Sequence, residues 1–175
     1  MAKLIVDSND FSRMLKRISH EILEKNSGPD KLILIGMHTR GVPLAKRISV
    51  FIENIEGIKI PTAQLDVSFY RDDTDLKIKT DINPTIIDLN INNSNVILID
   101  DVLFTGRSIR AAMSSIDSYG RPKSIELMVL IDRRFKRELP IEANYFGAKI
   151  DTIKGDKVSV IWGKEKDNDV VYIER

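Results

Sequence analysis

The run Val96-Ile97-Leu98-Ile99, followed directly by Asp100-Asp101, constrains the fold more than any other stretch of the chain. Its apolar residues show no alternation, so they suit a strand buried on both faces. A strand of that kind belongs inside a parallel sheet covered by helices on either side. The acid pair comes where such a strand leaves the core. Thr105-Gly106-Arg107-Ser108 then supplies hydroxyls, a permissive glycine and the start of a helical stretch. Strand, turn and helix in that order form the repeating unit of α/β architecture.

Other parts of the chain repeat the unit. Ser8 can cap a helix reaching about Asn26, with Phe11, Met14, Leu15, Ile18 and Ile22 on one face. Lys31 to Gly36 reads as a short apolar strand and Gly41 to Phe51 as a helix, while Ile60 to Tyr70 alternates like a strand with unlike faces. Asn95 to Asp100, Gly106 to Tyr119 and Ser124 to Ile131 give strand, helix and strand; Val158 to Trp162 and Val170 to Ile173 give two short closing strands. Asp81 to Asn95 is rich in Asn and Asp and reads as a long connection. The pattern predicts an α/β domain with a mainly parallel sheet flanked by helices. Its ligand site is expected at the carboxyl ends of the strands, where Met37 to Gly41, Asp100 to Ser108 and Asp132 to Arg137 should gather.

Composition narrows the chemistry. A chain of 175 residues suits one domain spanning 1–175. Charged residues are 30% of the sequence but balance to +1, so the overall field neither drives nor excludes nucleic acid, and any such site must be a local patch. The absence of cysteine removes disulfides and thiolate chemistry, and with only His20 and His38 to add it argues against zinc. The N-terminus meets charge too early for a signal peptide, and no apolar run has membrane-spanning length, so a soluble cytoplasmic protein is expected.

Carboxylates at Asp100 and Asp101 can accept hydrogen bonds from a sugar diol or hold Mg²⁺ through water. Thr105 to Ser108, at a helix start, can cradle a phosphate. One molecule with a diol near a phosphate satisfies both, and a ribose phosphate has that shape. An isolated acid pair would read as a solvated strand end; its ordered combination with the following loop favours the ligand. Thr39-Arg40-Gly41 is either an ordinary tight turn or a second anion grip, and Tyr70-Arg71-Asp72-Asp73 is either a charged surface loop or one that closes Arg71 over a ligand.

VILIDDVLFTGRS resembles the phosphoribosyl pyrophosphate (PRPP) signature of the type I phosphoribosyltransferases. HTRGVPLAKRI from His38 to Ile48, YRDD from Tyr70 to Asp73 and RELPIEANYFGAKI from Arg137 to Ile150 narrow the likeness to the PyrR family, over nearly the whole chain. The resemblance implies the type I phosphoribosyltransferase fold, with a small hood and a flexible arm beside the sheet. It implies uracil phosphoribosyltransferase activity with Mg²⁺, in which PRPP and uracil give UMP and pyrophosphate. It further implies UMP- or UTP-responsive binding of a pyrimidine operon leader mRNA hairpin that promotes transcription termination. A homo-oligomer, dimer or higher, with no membrane partner, belongs to the same expectation.

Carried onto this chain, the resemblance assigns PRPP contacts to Val96, Ile97, Leu98, Ile99, Asp100, Asp101, Val102, Leu103, Phe104, Thr105, Gly106, Arg107 and Ser108, with Thr39 and Arg40 as the pyrophosphate loop. Asp100, Asp101 and Arg71 are the expected catalytic residues, and the two aspartates are expected near the metal through ligand or water. Asp132, Arg133 and Val158 are expected near the base, and Arg17, His20, Lys136, Arg137 and Lys149 on the RNA face. The chain also departs from the family. DRRFKRELP stands where DRGHRELP is usual, Glu142 replaces an arginine and Ala148 a lysine. An acid on a phosphate-binding face lowers affinity. An RNA site that is shifted, retuned or lost is therefore an alternative, leaving a phosphoribosyltransferase or nucleotide sensor that acts on this or another base.

Overall fold

The apolar runs at Lys31–Gly36, Val96–Ile99 and Ser124–Ile131 become strands of one parallel sheet in the computed structural model, which describes residues 2–68, 83–153, 155–163 and 169–174. In chain order the elements are β1 (Ala2–Val6), α1 (Ser8–Lys25), β2 (Leu32–Met37), α2 (Gly41–Glu56), β3 (Thr62–Leu65), β4 (Asn95–Leu103), α3 (Arg107–Ile116), β5 (Ser124–Arg134), β6 (Tyr145–Asp151), β7 (Lys157–Ile161) and β8 (Val170–Glu174). The main sheet runs β3-β2-β4-β5-β6 and all its pairings are parallel. A second, three-stranded antiparallel sheet, β1-β8-β7, forms the hood. No described helix is long and apolar enough to cross a membrane.

The missing alternation in Val96–Ile99 has a direct cause. Ile97 and Ile99 join the core formed with α1, α2 and the hood, where Phe11, Ile22, Ile48 and Val171 pack. Val96 and Leu98 face the opposite core, built around Ile109, Ala112 and Ile116 of α3. All four of these β4 residues are 0% exposed, because both faces of the strand are covered. Deleting such a side chain to alanine costs about 2–5 kcal/mol, so the centre of β4 carries a large share of the stability.

Several boundaries differ from the sequence expectation. Asp7, not Ser8, caps α1 by accepting from the Asp10 N–H at 2.9 Å. Helix α2 continues past Phe51 to Glu56 and stops at Gly57, whose φ of 70° suits a left-handed cap. Strands β4 and β5 extend beyond Asp100 and Ile131, and α3 ends before Tyr119. The strand expected over Ile60 to Tyr70 is confined to Thr62–Leu65, since Asp66 leaves the ladder; Phe69, Tyr70 and the rest of YRDD lie outside the described residues. The hood strand β1 and the edge strand β6 had no reading in the sequence.

Beyond β3 the chain returns through Ile86, which exchanges both backbone hydrogen bonds with Gln64 at 2.9 and 2.8 Å and so covers the sheet edge. Ile87, Leu89 and Ile91 of the Asn-rich connection then pack on the α3-side core.

At Gly41 the first turn of α2 crosses the backbone of β4 so closely that a Cβ would lie 2.1 Å from the Ile99 carbonyl oxygen. That atom belongs to the sheet ladder and cannot yield. Gly41→Ala is expected to destabilise the fold by about 1–3 kcal/mol, read as a lower urea midpoint with an unchanged slope.

Candidate active site

The strand order places a crevice between β2 and β4. The chain runs from β2 outward to β3 and then crosses to β4 on the other side, so the loops after β2 and β4 diverge and leave space between them. A cavity of about 520 Å³ opens there, lined by Met37 to Arg40, Val67, Ser68, Asp100 to Gly106, Ser108 and Ile109.

Two helices begin at this cavity and neither N-cap residue supplies a side-chain cap, the Arg107 N–H of α3 reaching only Thr105 Oγ1 at 3.4 Å. α2 starts at Gly41 after Arg40, and α3 starts at Arg107 after Gly106, which has φ 94°. By contrast α1 carries its own carboxylate cap. An uncapped start leaves first-turn N–H groups with hydrogen-bonding capacity and a positive dipole end beside the cavity. With Arg40, the arrangement provides two anion-binding corners on one crevice.

The acids sit between these corners. β4 does not turn after Asp100, as the sequence had suggested, but continues to Leu103; both acids line the cavity all the same. Asp100 Oδ1 accepts from the Asp101 N–H at 2.9 Å. Asp101 is buried, its Oδ2 lacks a hydrogen-bond donor, and Arg40 Nη1 stands 3.5 Å away, an ion-pair distance without hydrogen-bond geometry. Burial raises the Asp101 pKa and the Arg40 charge offsets only part of that, so its carboxyl titrates above its ordinary value.

Near the β2 loop, His38 N–H donates to the Leu65 carbonyl at 2.8 Å while its Nε2 is buried without a partner. The His38–Thr39 peptide is cis. Asp66 stands just behind. Its carboxylate accepts from the Ser68 N–H and the Asn83 N–H, both at 2.8 Å, and so joins the two mouths of the 69–82 segment. Burial raises the Asp66 pKa, but those hydrogen bonds and the His38 charge outweigh it and the carboxyl titrates below its ordinary value. Among the cavity residues, sequence reasoning placed Met37 and His38 in a loop expected at the site but gave them no role there, and it missed Val67, Ser68 and Ile109. Val67 and Ser68 carried only a strand-like alternation, and Ile109 read as part of a helix.

Two groups of expected residues lie away from this cavity, and a third lies outside the described residues. Val96, Ile97, Leu98 and Ile99 are fully buried in the sheet and do not line the cavity; they carry the aspartates. Asp132, Arg133 and Val158 do not line it either. Asp132, 3% exposed, holds Arg137 Nη2 at 2.5 Å. Arg133 donates to Thr152 Oγ1 at 3.1 Å and to the Asp156 carbonyl at 2.9 Å, with its guanidinium 4.0 Å over the Phe104 ring. Val158 packs in the hood core. Arg71 lies outside the described residues.

The basic residues expected on an RNA face are split. Arg17 on α1 reaches the Phe146 and Gly147 carbonyls of β6 at 3.1 and 2.7 Å, so α1 and β6 form one edge that also carries Lys149 and the exposed His20. Lys149 lies 4.6 Å over Phe146 and 3.7 Å from Glu142, an exposed acid that offsets its charge. Lys136 and Arg137 follow the carboxyl end of β5, and Arg137 turns inward onto Asp132, whose register partner on β6 is Lys149.

A family model described as the phosphoribosyl transferase domain matches residues 2–164. The bifunctional protein PyrR of Caldicellulosiruptor bescii is 50% identical over 174 residues, covering 99% of this chain and 95% of that protein. That of Clostridioides difficile is 46% identical over 157 residues, covering 89% and 88%. Among solved structures, a hypoxanthine phosphoribosyltransferase from Staphylococcus aureus overlays with a TM-score of 0.67 at 22% identity, covering 85% of this chain and 77% of that one. A hypoxanthine-guanine phosphoribosyltransferase from Bacillus anthracis gives 0.71 at 18%, covering 89% and 86%. These overlays speak for the fold alone.

The two aspartates should respond oppositely to pH. The raised pKa of Asp101 means its folded-state advantage holds below the ordinary carboxylate value and is lost as pH rises through the raised one. Asp101→Asn should therefore melt at or above the native chain at neutral pH, with the difference vanishing in acid. The depressed pKa of Asp66 means its contribution holds above the ordinary value and is lost as pH falls through the depressed one. Asp66→Asn should melt lower at neutral pH and converge with the native chain in acid. Melting curves of the ligand-free proteins across that range check both signs.

Proposed function

Because the chain belongs to the phosphoribosyltransferase family and, within it, to the PyrR proteins, we propose that it is a uracil phosphoribosyltransferase and a nucleotide-responsive regulator of pyrimidine operon expression. It transfers the phosphoribosyl group of PRPP to uracil, giving UMP and pyrophosphate. It also binds the operon's leader mRNA hairpin when UMP or UTP occupies the site, and so promotes termination. The observation that carries the catalytic half is the crevice onto which two helix starts and the buried carboxylate of Asp101, with one oxygen that no donor satisfies, converge.

PRPP has an anion at each end and a diol between, and the crevice offers a partner for each. The loop from Phe104 to Ser108 takes the ribose phosphate through backbone N–H groups and hydroxyls. Thr39 and Arg40 take the pyrophosphate, with Arg71 assigned to the same anion. Asp100 and Asp101 accept from the ribose hydroxyls. Bond breaking at the anomeric carbon leads, and positive charge grows on the ring while negative charge grows on the leaving group; the aspartates stabilise the first and Arg40 the second. No covalent nucleophile is required.

Among the described residues no cluster of three or more His, Asp, Glu or Cys stands ready to hold a metal. Asp100 and Asp101 would face Mg²⁺ through ligand or water when it is bound together with PRPP. The unpartnered Asp101 Oδ2 fits that use. Bound there, Mg²⁺ supplies charge neutralisation to the pyrophosphate. A cytoplasmic setting and self-association into a dimer or larger assembly belong to the same reading.

A second reading, an enzyme or sensor without RNA binding, is favoured by one observation: Glu142, 82% exposed, stands on the expected RNA edge beside Lys149. The two readings part in a gel-shift against the operon's own leader RNA. Retardation strengthened by UMP is expected, and retardation indifferent to UMP would sink the regulatory mechanism. In the enzyme assay uracil should react and other bases should not. Asp101→Asn should lower kcat/KM for PRPP about 10- to 100-fold, the worth of a charge-assisted hydrogen bond.

A further inference from the structure

The segment from Arg137 to Ile141 lies outside the crevice yet is fastened to the back of the loop after β4. Arg137 Nη1 donates to the Phe104 carbonyl while its Nη2 is anchored on buried Asp132. The N–H groups of Glu138 and Leu139 both donate to the Thr105 carbonyl, at 3.0 and 3.3 Å. Arg107 Nε donates to the Glu138 carboxylate at 2.7 Å. Behind Gly106 the space is closed, since a Cβ there would meet Ile141 at 3.3 Å and Leu139 at 3.5 Å.

A trans peptide points its C=O and its N–H to opposite sides. Holding the Phe104 carbonyl outward turns the Thr105 N–H the other way, and holding the Thr105 carbonyl outward does the same for the Gly106 N–H. Both Thr105 and Gly106 line the cavity. We propose that Arg137 and Glu138 are positioning residues for the phosphate loop: the Arg137 side chain and the Glu138 N–H hold its carbonyls from behind, the Glu138 carboxylate holds Arg107, and together they aim the loop's amides at the ribose phosphate. This inference rests on the reading of Phe104 to Ser108 as the ribose-phosphate site. It moves Arg137 from the RNA face to the enzyme.

The test compares the native chain with Arg137→Ala, Arg137→Lys, Glu138→Gln and, as a surface control, Arg13→Ala, whose side chain is 81% exposed. Kinetics with uracil and PRPP are joined to inhibition constants for ribose 5-phosphate and for pyrophosphate. Arg137→Ala should raise the PRPP KM about 10-fold with kcat nearly unchanged, because the lost amide contacts serve ground and transition states alike. Ribose 5-phosphate should weaken in parallel and pyrophosphate should not, a split that general destabilisation would not produce. Arg137→Lys should restore part of the effect, and Glu138→Gln, half-exposed and so safe for folding, should raise KM about 3-fold. PRPP and ribose 5-phosphate affinities unchanged in both Arg137→Ala and Glu138→Gln would overturn the proposal alone, and so would loss of leader RNA binding by Arg137→Ala with PRPP kinetics intact. A native chain that does not use PRPP would overturn the underlying reading as well.

Discussion

The contact between the first turn of α2 and the Ile99 carbonyl sets the geometry on which the site depends. Only a residue without a Cβ lets these two backbones meet, and that meeting seats the start of α2 on β4 at Ile99 and Asp100, at the base of the crevice. Gly36 repeats the device one step earlier, where a Cβ would lie 2.6 Å from Val42 Cα. The width of the crevice is thus fixed by main-chain contact rather than by side chains that change rotamer. A ligand with two anions at a set separation is well served by walls of that kind.

The electrostatics of the crevice are arranged for charge that arrives from outside. Helix starts at α2 and α3 lack side-chain caps, and Asp101 is buried with an oxygen that no donor satisfies. Each of these choices lowers the stability of the empty protein, and each is the arrangement a polyanionic sugar would relieve. Asp66, beside His38 in space, shows the opposite economy: a buried carboxylate engaged by two N–H donors and holding local structure together.

Much of this was legible in the residues. The unbroken apolar run at Val96–Ile99 specified a central parallel strand, and the acids and Thr-Gly-Arg-Ser after it marked its carboxyl end as the site. What remained hidden depends on partners far along the chain. Arg137 read as a surface cation because nothing near it in sequence reveals the Phe104 carbonyl, 33 residues away. Strand β1 is five residues long and pairs only with β8 at the other end of the chain, so it had no local pattern to announce it. Asp66 read as one polar position of an alternating strand, whereas its role comes from an N–H donor 17 residues later. Local periodicity reports which face is buried; it does not report which distant backbone group a side chain will find.

The Asp66 clasp has a consequence for how such a crevice can change over time. Since Ser68 and Asn83 are both held on one carboxylate, the mouth of the segment between them is closed by the scaffold itself. The cost of closing a loop rises only logarithmically with its length, roughly 0.6 kcal/mol per doubling. Insertions and deletions between those two positions therefore leave the walls of the crevice where they are. Apart from the anion-binding role assigned to Arg71, that stretch can vary in length without loosening the two positions that flank it.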